Sequence, residues 1–373
     1  MTPLTLTGLQ AAPSQVWGGI RLVPLLRAQG LEDLRLSGRV YLDDCGIVSV
    51  DKNRSYLSYI PQGLVLNWSD DGSPLAPLGG WIGKEEESKN VKLGRCTVGR
   101  FKKMVHKEER NQLRFLPLHL AMEGFLSLFF SGPTIEWPEY SWQVLRHGLS
   151  PRTERSIAGQ RLLGLEEALK VFEIHPDQCG VLVFISGALA SAFVVPHPAD
   201  YHRLHESLIR DFYGETLGWY SDIPYDQPWF MPIDEQKIQT IADLSKALAR
   251  MRQDWEAFQM DMAAELWTPV QAQTCFRAGP FTLERFHTGF ADDKVHHIGE
   301  RILRSDGTLA YLKTYRLEPD QRARAWYLTQ LAAHQWNLEA TATALGIDRL
   351  ELIKSLEHRG LGKLLKQNVR EGR

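Results

Sequence analysis

The sequence predicts an α+β fold in three parts. These are a mixed domain over residues 1–225, a long helix with an antiparallel β-meander over 234–318, and three short helices over 321–366. Three observations predict it. Short apolar runs broken by Gly, Pro, Asn and Asp fill residues 1–82, as strands and turns require. Residues 234–267 carry a helical apolar periodicity. Beyond residue 321, small residues and two glycines divide helical stretches into short units.

The N-terminal elements follow in order. IRLVPLL (20–26) is an apolar run with Pro24 inside it, which predicts an edge or broken strand. RVYL (39–42), GIVSV (46–50) and GLVLNW (63–68) are further short strands. Residues 89–107 hold seven basic residues (Lys89, Lys92, Arg95, Arg100, Lys102, Lys103 and Lys107) with no acid among them. That run reads either as a phosphate-contacting loop or as a solvated one. LPLHLAMEGFLSLFF (116–130) and RLLGLEEALKVFEI (161–174) read as helices. GVLVFISGALASAFVV (180–195) is two strand runs around Ser186-Gly187, a hairpin pattern, and a helix follows through Phe212. PYDQPWFMP (224–232) reads as a linker or extended strap.

In the long helix, Ile241, Leu244, Leu248, Met251, Trp255, Phe258 and Met262 alternate steps of three and four, an a/d seam. Trp255 and Phe258 are bulky for a two-stranded seam, so packing within the chain is the favoured reading over a dimer coil. The meander over 276–317 contains Asp306-Gly307 between two strand runs, a strong hairpin signal. So small a meander needs a partner surface, either the long helix or the N-terminal domain.

At the C-terminus, Tyr327, Leu328, Leu331 and Ala332 form one helical face. Asn337 caps a second helix containing Ala340, Thr341 and Ala344. Gly346 takes the left-handed position that ends it, and Ile347 fills the corner. Asp348 caps a third helix with Leu352, Ile353 and Leu356 inward, and Gly360 closes it. Three short helices around a tight Gly turn make a helix-turn-helix pattern. A reading helix offers its N-terminal half to bases and its flanks to phosphates, which singles out Arg349, Lys354, Ser355, His358 and Arg359 as outward candidates. Asn337, Thr341 and Asp348 complete the candidate DNA-binding set. Residues 321–373 hold nine Lys/Arg against five Asp/Glu, a local positive excess in a chain of net charge −2.

This stretch resembles the Fis-type helix-turn-helix at the C-terminus of bacterial enhancer-binding regulators. Leu331, Ala332, Asn337, Ala340, Ala344, Leu345, Gly346, Ile347, Arg349, Leu352, Leu356 and Gly360-Leu361 carry the resemblance. Trp336 stands where that pattern usually has Gly, and Leu350-Glu351-Leu352 where it has Thr-Thr-Leu. Glu351 therefore places a negative charge where phosphate or base contacts would lie. The resemblance implies a sequence-specific binder of double-stranded DNA, a bacterial transcription regulator, expected to act on a two-fold site as a homodimer.

GVLVFISGALASAFVVPHPADYHRLHESLIRDF (180–212) and WGGIRLVPLL (17–26) resemble the ADP-ribosylglycohydrolase-and-rhodanese-phosphatase-associated domain, over about the first 220 residues. The Glu-Gln-Gly-Arg-Trp motif of that family is not seen; Pro61-Gln62-Gly63 with Trp68 stands nearby. The resemblance implies a link to ADP-ribose or NAD and a nucleotide-like small-molecule ligand for a sensing or partner-binding region. It carries no catalytic residues. The alternative function is an enzyme or binding module of nucleotide or ADP-ribose metabolism, with the C-terminal helices as an accessory.

Several classes of chemistry find no support. Cys45, Cys96, Cys179 and Cys275 lie far apart with no C-x-x-C, against a zinc ribbon or a disulfide framework. Asp200, His202 and His205 near a helix start are read as cap and surface groups rather than metal ligands. GGWIGKE (79–85) lacks the spacer and the Ser/Thr of a phosphate loop. No cofactor, metal site or catalytic set is expected. Nor is a membrane span, since the most apolar stretch, near Phe125 to Phe130, is far shorter than about 20 residues. The opening residues lack a secretory pattern, so the expected compartment is the cytoplasm.

Overall fold

The computed structural model describes residues 6–36, 170–220, 233–263, 269–290 and 295–362, together with 47–51, 54–57, 67–68, 74–75, 80–82, 115, 118, 266 and 365. The predicted strand RVYL (39–42), most of that at 63–68, the basic run 89–107, the predicted helix at 116–130 apart from residue 118, most of that at 161–174 and the strap 224–232 lie outside the described residues.

The strands are β1 (Gln10–Ala11), β2 (Gln15–Trp17), β3 (Ile20–Leu26), β4 (Leu34–Leu36), β5 (Ile47–Asp51), β6 (Arg54–Leu57), β7 (Asn67–Trp68), β8 (Pro74–Leu75), β9 (Gly80–Ile82), β10 (Gln178–Ile185), β11 (Ala188–Val194), β12 (Gln271–Ala278), β13 (Phe281–His287), β14 (His297–Arg304) and β15 (Leu309–Arg316). The helices are α1 (Pro198–Ser207), which runs into a π-helical turn at Leu208–Phe212, α2 (Gly214–Tyr220), α3 (Ile241–Met262), α4 (Pro319–Ala333), α5 (Leu338–Leu345) and α6 (Arg349–His358).

One nine-stranded antiparallel sheet organises the molecule, in the order β1-β3-β10-β11-β15-β14-β13-β12 with β2 also on β3. The protein is therefore α+β. Small two-stranded ladders β4-β9, β5-β6 and β7-β8 accompany the sheet. The meander β12–β15 finds its partner surface edge-on. Phe193 and Val194 of β11 pair with Lys313 and Leu312 of β15, so N-terminal and meander strands share one sheet.

Strand β3 lies inside the sheet, not at its edge. It pairs with β10 on one side and with β1 and β2 on the other. Pro24 fits because its carbonyl accepts from Ala12 at 2.8 Å. In a strand a residue's N and C=O point the same way, so the hydrogen-less nitrogen faces the break between β1 and β2 and no ladder bond is lost. The two predicted hairpins form. Ser186 (φ 48) and Gly187 (φ 81) make a turn of left-handed residues joining β10 to β11, as the strand twist favours. At the other, Asp306 Oδ1 accepts from Thr308 N at 2.8 Å and Gly307 takes φ 87.

Alternation along β10 divides the core. Val181 and Val183 belong to one apolar cluster, Leu182 and Phe184 to the other, across the sheet. The first face is covered by α1 and the π turn, with Tyr201, Leu204, Leu208 and Phe212 buried on it. The cluster continues through Tyr315 and Leu317 to Leu328, Leu352 and Leu356, so the C-terminal helices share its core. The second face is covered by Ala263 and Leu266, just beyond α3.

The predicted helix over 234–267 is shorter and broken at its start. Asp234 caps a 3-10 turn at Glu235–Lys237. Thr240 then opens α3, its Oγ1 receiving Asp243 N at 3.1 Å while Asp243 Oδ2 receives Thr240 N at 2.9 Å. The a/d seam is split in use. Trp255 meets Phe258 edge-to-face and receives the Arg21 guanidinium 5.1 Å from its ring, whereas Ile241 and Leu244 at the other end are exposed.

Candidate nucleic-acid interface and a buried charged row

Three helices, α4, α5 and α6, follow β15 directly. Glu318 and Gln321 start α4 with a reciprocal capping box. Between α4 and α5 the chain turns through two left-handed residues, Gln335 (φ 55) and Trp336 (φ 63). The position at which the resembling pattern favours Gly thus does require left-handed backbone, and here Trp adopts it while its ring packs on the core. Asn337 Oδ1 accepts from Ala340 N at 3.1 Å and starts α5. Gly346, at φ 67 and ψ 27, ends it, and Ile347 N reaches back to Ala342 O at 3.1 Å. Asp348 Oδ2 accepts from Leu350 N at 3.1 Å and starts α6.

Each candidate DNA-binding residue has a place. Asn337 and Asp348 engage their side-chain oxygens as helix caps. Thr341 is buried, and its hydroxyl donates to Asn337 O at 2.7 Å, so its role is packing. Arg349 is exposed, with Nε 3.9 Å from Glu339 Oε2, an ion pair too open to hold it in place. Lys354 and His358 are exposed and Ser355 is half-buried. The Arg359 guanidinium lies 5.4 Å over the Tyr327 ring of α4, tying α6 to α4. Leu352, Ile353 and Leu356 are buried. On the opposite face of α6, Glu351, Lys354 and His358 recur at helical spacing.

Of the residues read as cap and surface groups, Asp200 and His205 are instead buried, and the cap of α1 is His197, whose Nδ1 accepts from Ala199 N at 3.0 Å. Asp200 is buried and holds Arg35 through Oδ1 at 3.1 Å and Oδ2 at 3.2 Å, while Leu36 N donates to Oδ2 at 3.0 Å. That arrangement pins β4 to the start of α1. His205 lies between Tyr201 Oη at 3.2 Å and Phe172 O at 3.0 Å, and burial holds its imidazole down at about 4. His202 turns to His175 O at 3.2 Å. Among the described residues no group of three or more His, Cys, Asp or Glu could hold a metal ion. No helix among them is long and apolar enough to cross a membrane.

The structure also brings together a cluster that sequence reading missed. Arg285 on β13 pairs with Glu300 on β14, and Glu300 with Lys313 on β15. Lys313 Nζ lies 3.5 Å from Glu300 Oε1, and Tyr311 Oη donates to the same oxygen at 3.4 Å. Burial pushes the Glu300 carboxyl up and pulls the Lys313 ammonium down to about 8, with each partner's charge opposing the other's shift. Among the described residues, Glu300 Oε2, Lys313 Nζ and Arg285 Nε and Nη2 make no hydrogen bond. Beside this row, Ser191 Oγ contacts Tyr213 Oη at 2.9 Å and donates to Thr314 O at 2.7 Å. The signal was present only as charge at inward strand positions, which is visible once register is known.

No curated protein and no solved structure is matched by the chain. A family model does match it, over residues 4–278, from the N-terminal strands through α3 to the last residue of β12. The N-terminal resemblance was expected over about the first 220 residues, and the match reaches further. It leaves out β13 to β15 and the three C-terminal helices. Since it spans well over half of the sequence, the chain belongs to the family described as ARPP-2.

Proposed function

We propose that α4, α5 and α6 form a helix-turn-helix of the Fis type, and that the chain is a sequence-specific DNA-binding protein, a bacterial transcription regulator. One observation carries the proposal: the junction of α5 and α6. Left-handed Gly346, the corner residue Ile347 and the cap Asp348 join two helices in three residues and leave Arg349 at the exposed start of α6. In a reading helix those are the positions that meet the major groove. Lys354 and His358 are exposed on another side of α6, the one that also carries Glu351.

The sheet domain with the ARPP-2 match is the sensing or partner-binding part in this proposal. A core cluster running from the sheet into all three helices supports it, because a ligand that alters the sheet also strains the helices. The functional unit is a homodimer on a two-fold site.

The test is duplex retention by the full chain at graded salt, with light scattering for the oligomeric state. Point variants suit better than truncation, because Ala325, Leu328 and Leu331 of α4 belong to the shared core. Arg349→Ala with Lys354→Ala lowers affinity and flattens the salt dependence. Affinity and salt slope equal to those of the unaltered chain would exclude the proposal.

A further inference from the structure

We infer that Glu351 and Lys354 together read a C·G base pair. Glu351 accepts from the cytosine N4 amino group, and Lys354 donates to guanine O6 and N7 of the same pair. The inference rests on the DNA-binding reading above and specifies what α6 recognises.

Glu351 is exposed in the first turn of α6, on the side away from buried Leu352, Ile353 and Leu356. It stands three residues before Lys354 and seven before His358, so all three share the outward face. Two ordinary uses of a carboxylate at this place are not made. The spacing Asp348-x-x-Glu351 suits a reciprocal capping box, yet among the described residues the side-chain capping bond at this helix start is that from Leu350 N to Asp348 Oδ2, and Glu351 makes no return bond. An ion pair with Lys354 is absent among the described residues as well, although the spacing allows one. Among the described residues the carboxylate thus has no hydrogen-bond or ion-pair partner, and it lies on the face that the proposed function turns toward a polyanion.

A carboxylate against phosphates lowers affinity for every duplex alike. It gains only by meeting a donor, and the major groove offers two, cytosine N4 and adenine N6. Adenine N6 sits beside the acceptor N7, which repels a carboxylate. The cytosine edge carries no such acceptor, and its partner guanine presents two acceptors to a cation. Side chains three apart on a helix lie about 5–6 Å from each other, within the span of one base pair edge. A carboxylate followed by an ammonium on the same face matches a donor beside two acceptors.

The test is selection from a randomised duplex pool with the full chain and with the Glu351→Gln, Glu351→Ala and Lys354→Met variants, all at exposed positions. The unaltered chain recovers one position with C favoured over A by about ten-fold or more. Glu351→Gln moves that preference to A, because a carboxamide bonds adenine N6 and N7 together. Glu351→Ala loses the preference and retains generic duplexes more tightly. Lys354→Met weakens the same position and no other. A base preference unchanged by Glu351→Gln, or no preference in a chain that still binds duplex with a salt dependence, overturns the inference and leaves the DNA-binding reading standing. Failure of the unaltered chain to retain any duplex removes both.

Discussion

Lys313 and Glu300 face each other across β14 and β15 with 3.5 Å between Nζ and Oε1, and neither side chain reaches solvent. Arg285 completes the row on the other side of Glu300. One buried anion thus serves two buried cations. Glu300→Leu leaves both cations uncompensated and destabilises by about 3–5 kcal/mol. Lys313→Met leaves Glu300 with Arg285 and costs less. Replacing all three by apolar residues recovers most of the loss. Urea unfolding of the three variants ranks them, and a larger cost for Lys313→Met than for Glu300→Leu would refute this account.

Strand register explains why that row was hidden while the hairpins were not. Ser186-Gly187 and Asp306-Gly307 are local signals, since the turn conformation needs particular residues within the turn itself. Caps are equally local, and Asn337, Gly346 and Asp348 do what their residue types suggest. Charges at alternating strand positions read as a solvated face, and only the ladder β13-β14-β15 places Arg285, Glu300 and Lys313 side by side, with Lys313 between buried Tyr311 and Tyr315 along β15. The pairing of β11 with β15 joins segments far apart in sequence, and no turn announces it. Pro24 misled for the opposite reason. The local rule places it at an edge, and the break between β1 and β2 satisfies the same rule inside the sheet.

Three buried histidines make the fold sensitive to mild acid. Burial is the largest cause in each: it lowers His205 and His287 to about 4 and His297 to about 3, with His296 adding to the last two and Arg316 to His297. These imidazoles are neutral in the fold, whereas in the unfolded chain they take up protons near pH 6.5. The unfolded state therefore binds more protons below that value, and stability falls as pH drops from about 6.5 toward 4. Each histidine contributes a slope of up to about 1.4 kcal/mol per pH unit. Denaturant midpoints at pH 7, 6 and 5 measure it, and His297→Asn flattens the dependence. A constant midpoint over that range would contradict it.

Gly346→Ala isolates the backbone term at the α5–α6 turn. At φ 67 a side chain is strained, yet an added Cβ meets nothing within 4 Å. The loss is thus about 1–2 kcal/mol from conformation alone. Gly346→Asn loses less, because Asn tolerates the left-handed region. Thermal melts of the two variants decide this, and equal losses would point to a steric cause that the geometry lacks.

Arg359 and Lys354 are both cations on α6, and the structure separates their roles. Arg359 lies over Tyr327 at 5.4 Å, so its guanidinium joins two helices, while Lys354 is exposed with no ion pair among the described residues. Arg359→Ala lowers the melting temperature by a few degrees, since a cation–π contact is worth about 0.5–1 kcal/mol at a partly exposed site. It changes the salt slope of duplex binding little. Lys354→Ala leaves the melting temperature in place and, if its ammonium meets a phosphate rather than a base, reduces the slope by about 0.9. If it meets guanine, as inferred above, the loss falls on one base position instead. Arg359→Ala reducing the slope by about 0.9 with the melting temperature unchanged would show that the stacked guanidinium turns to the duplex, and the division of roles between the two cations would then be wrong.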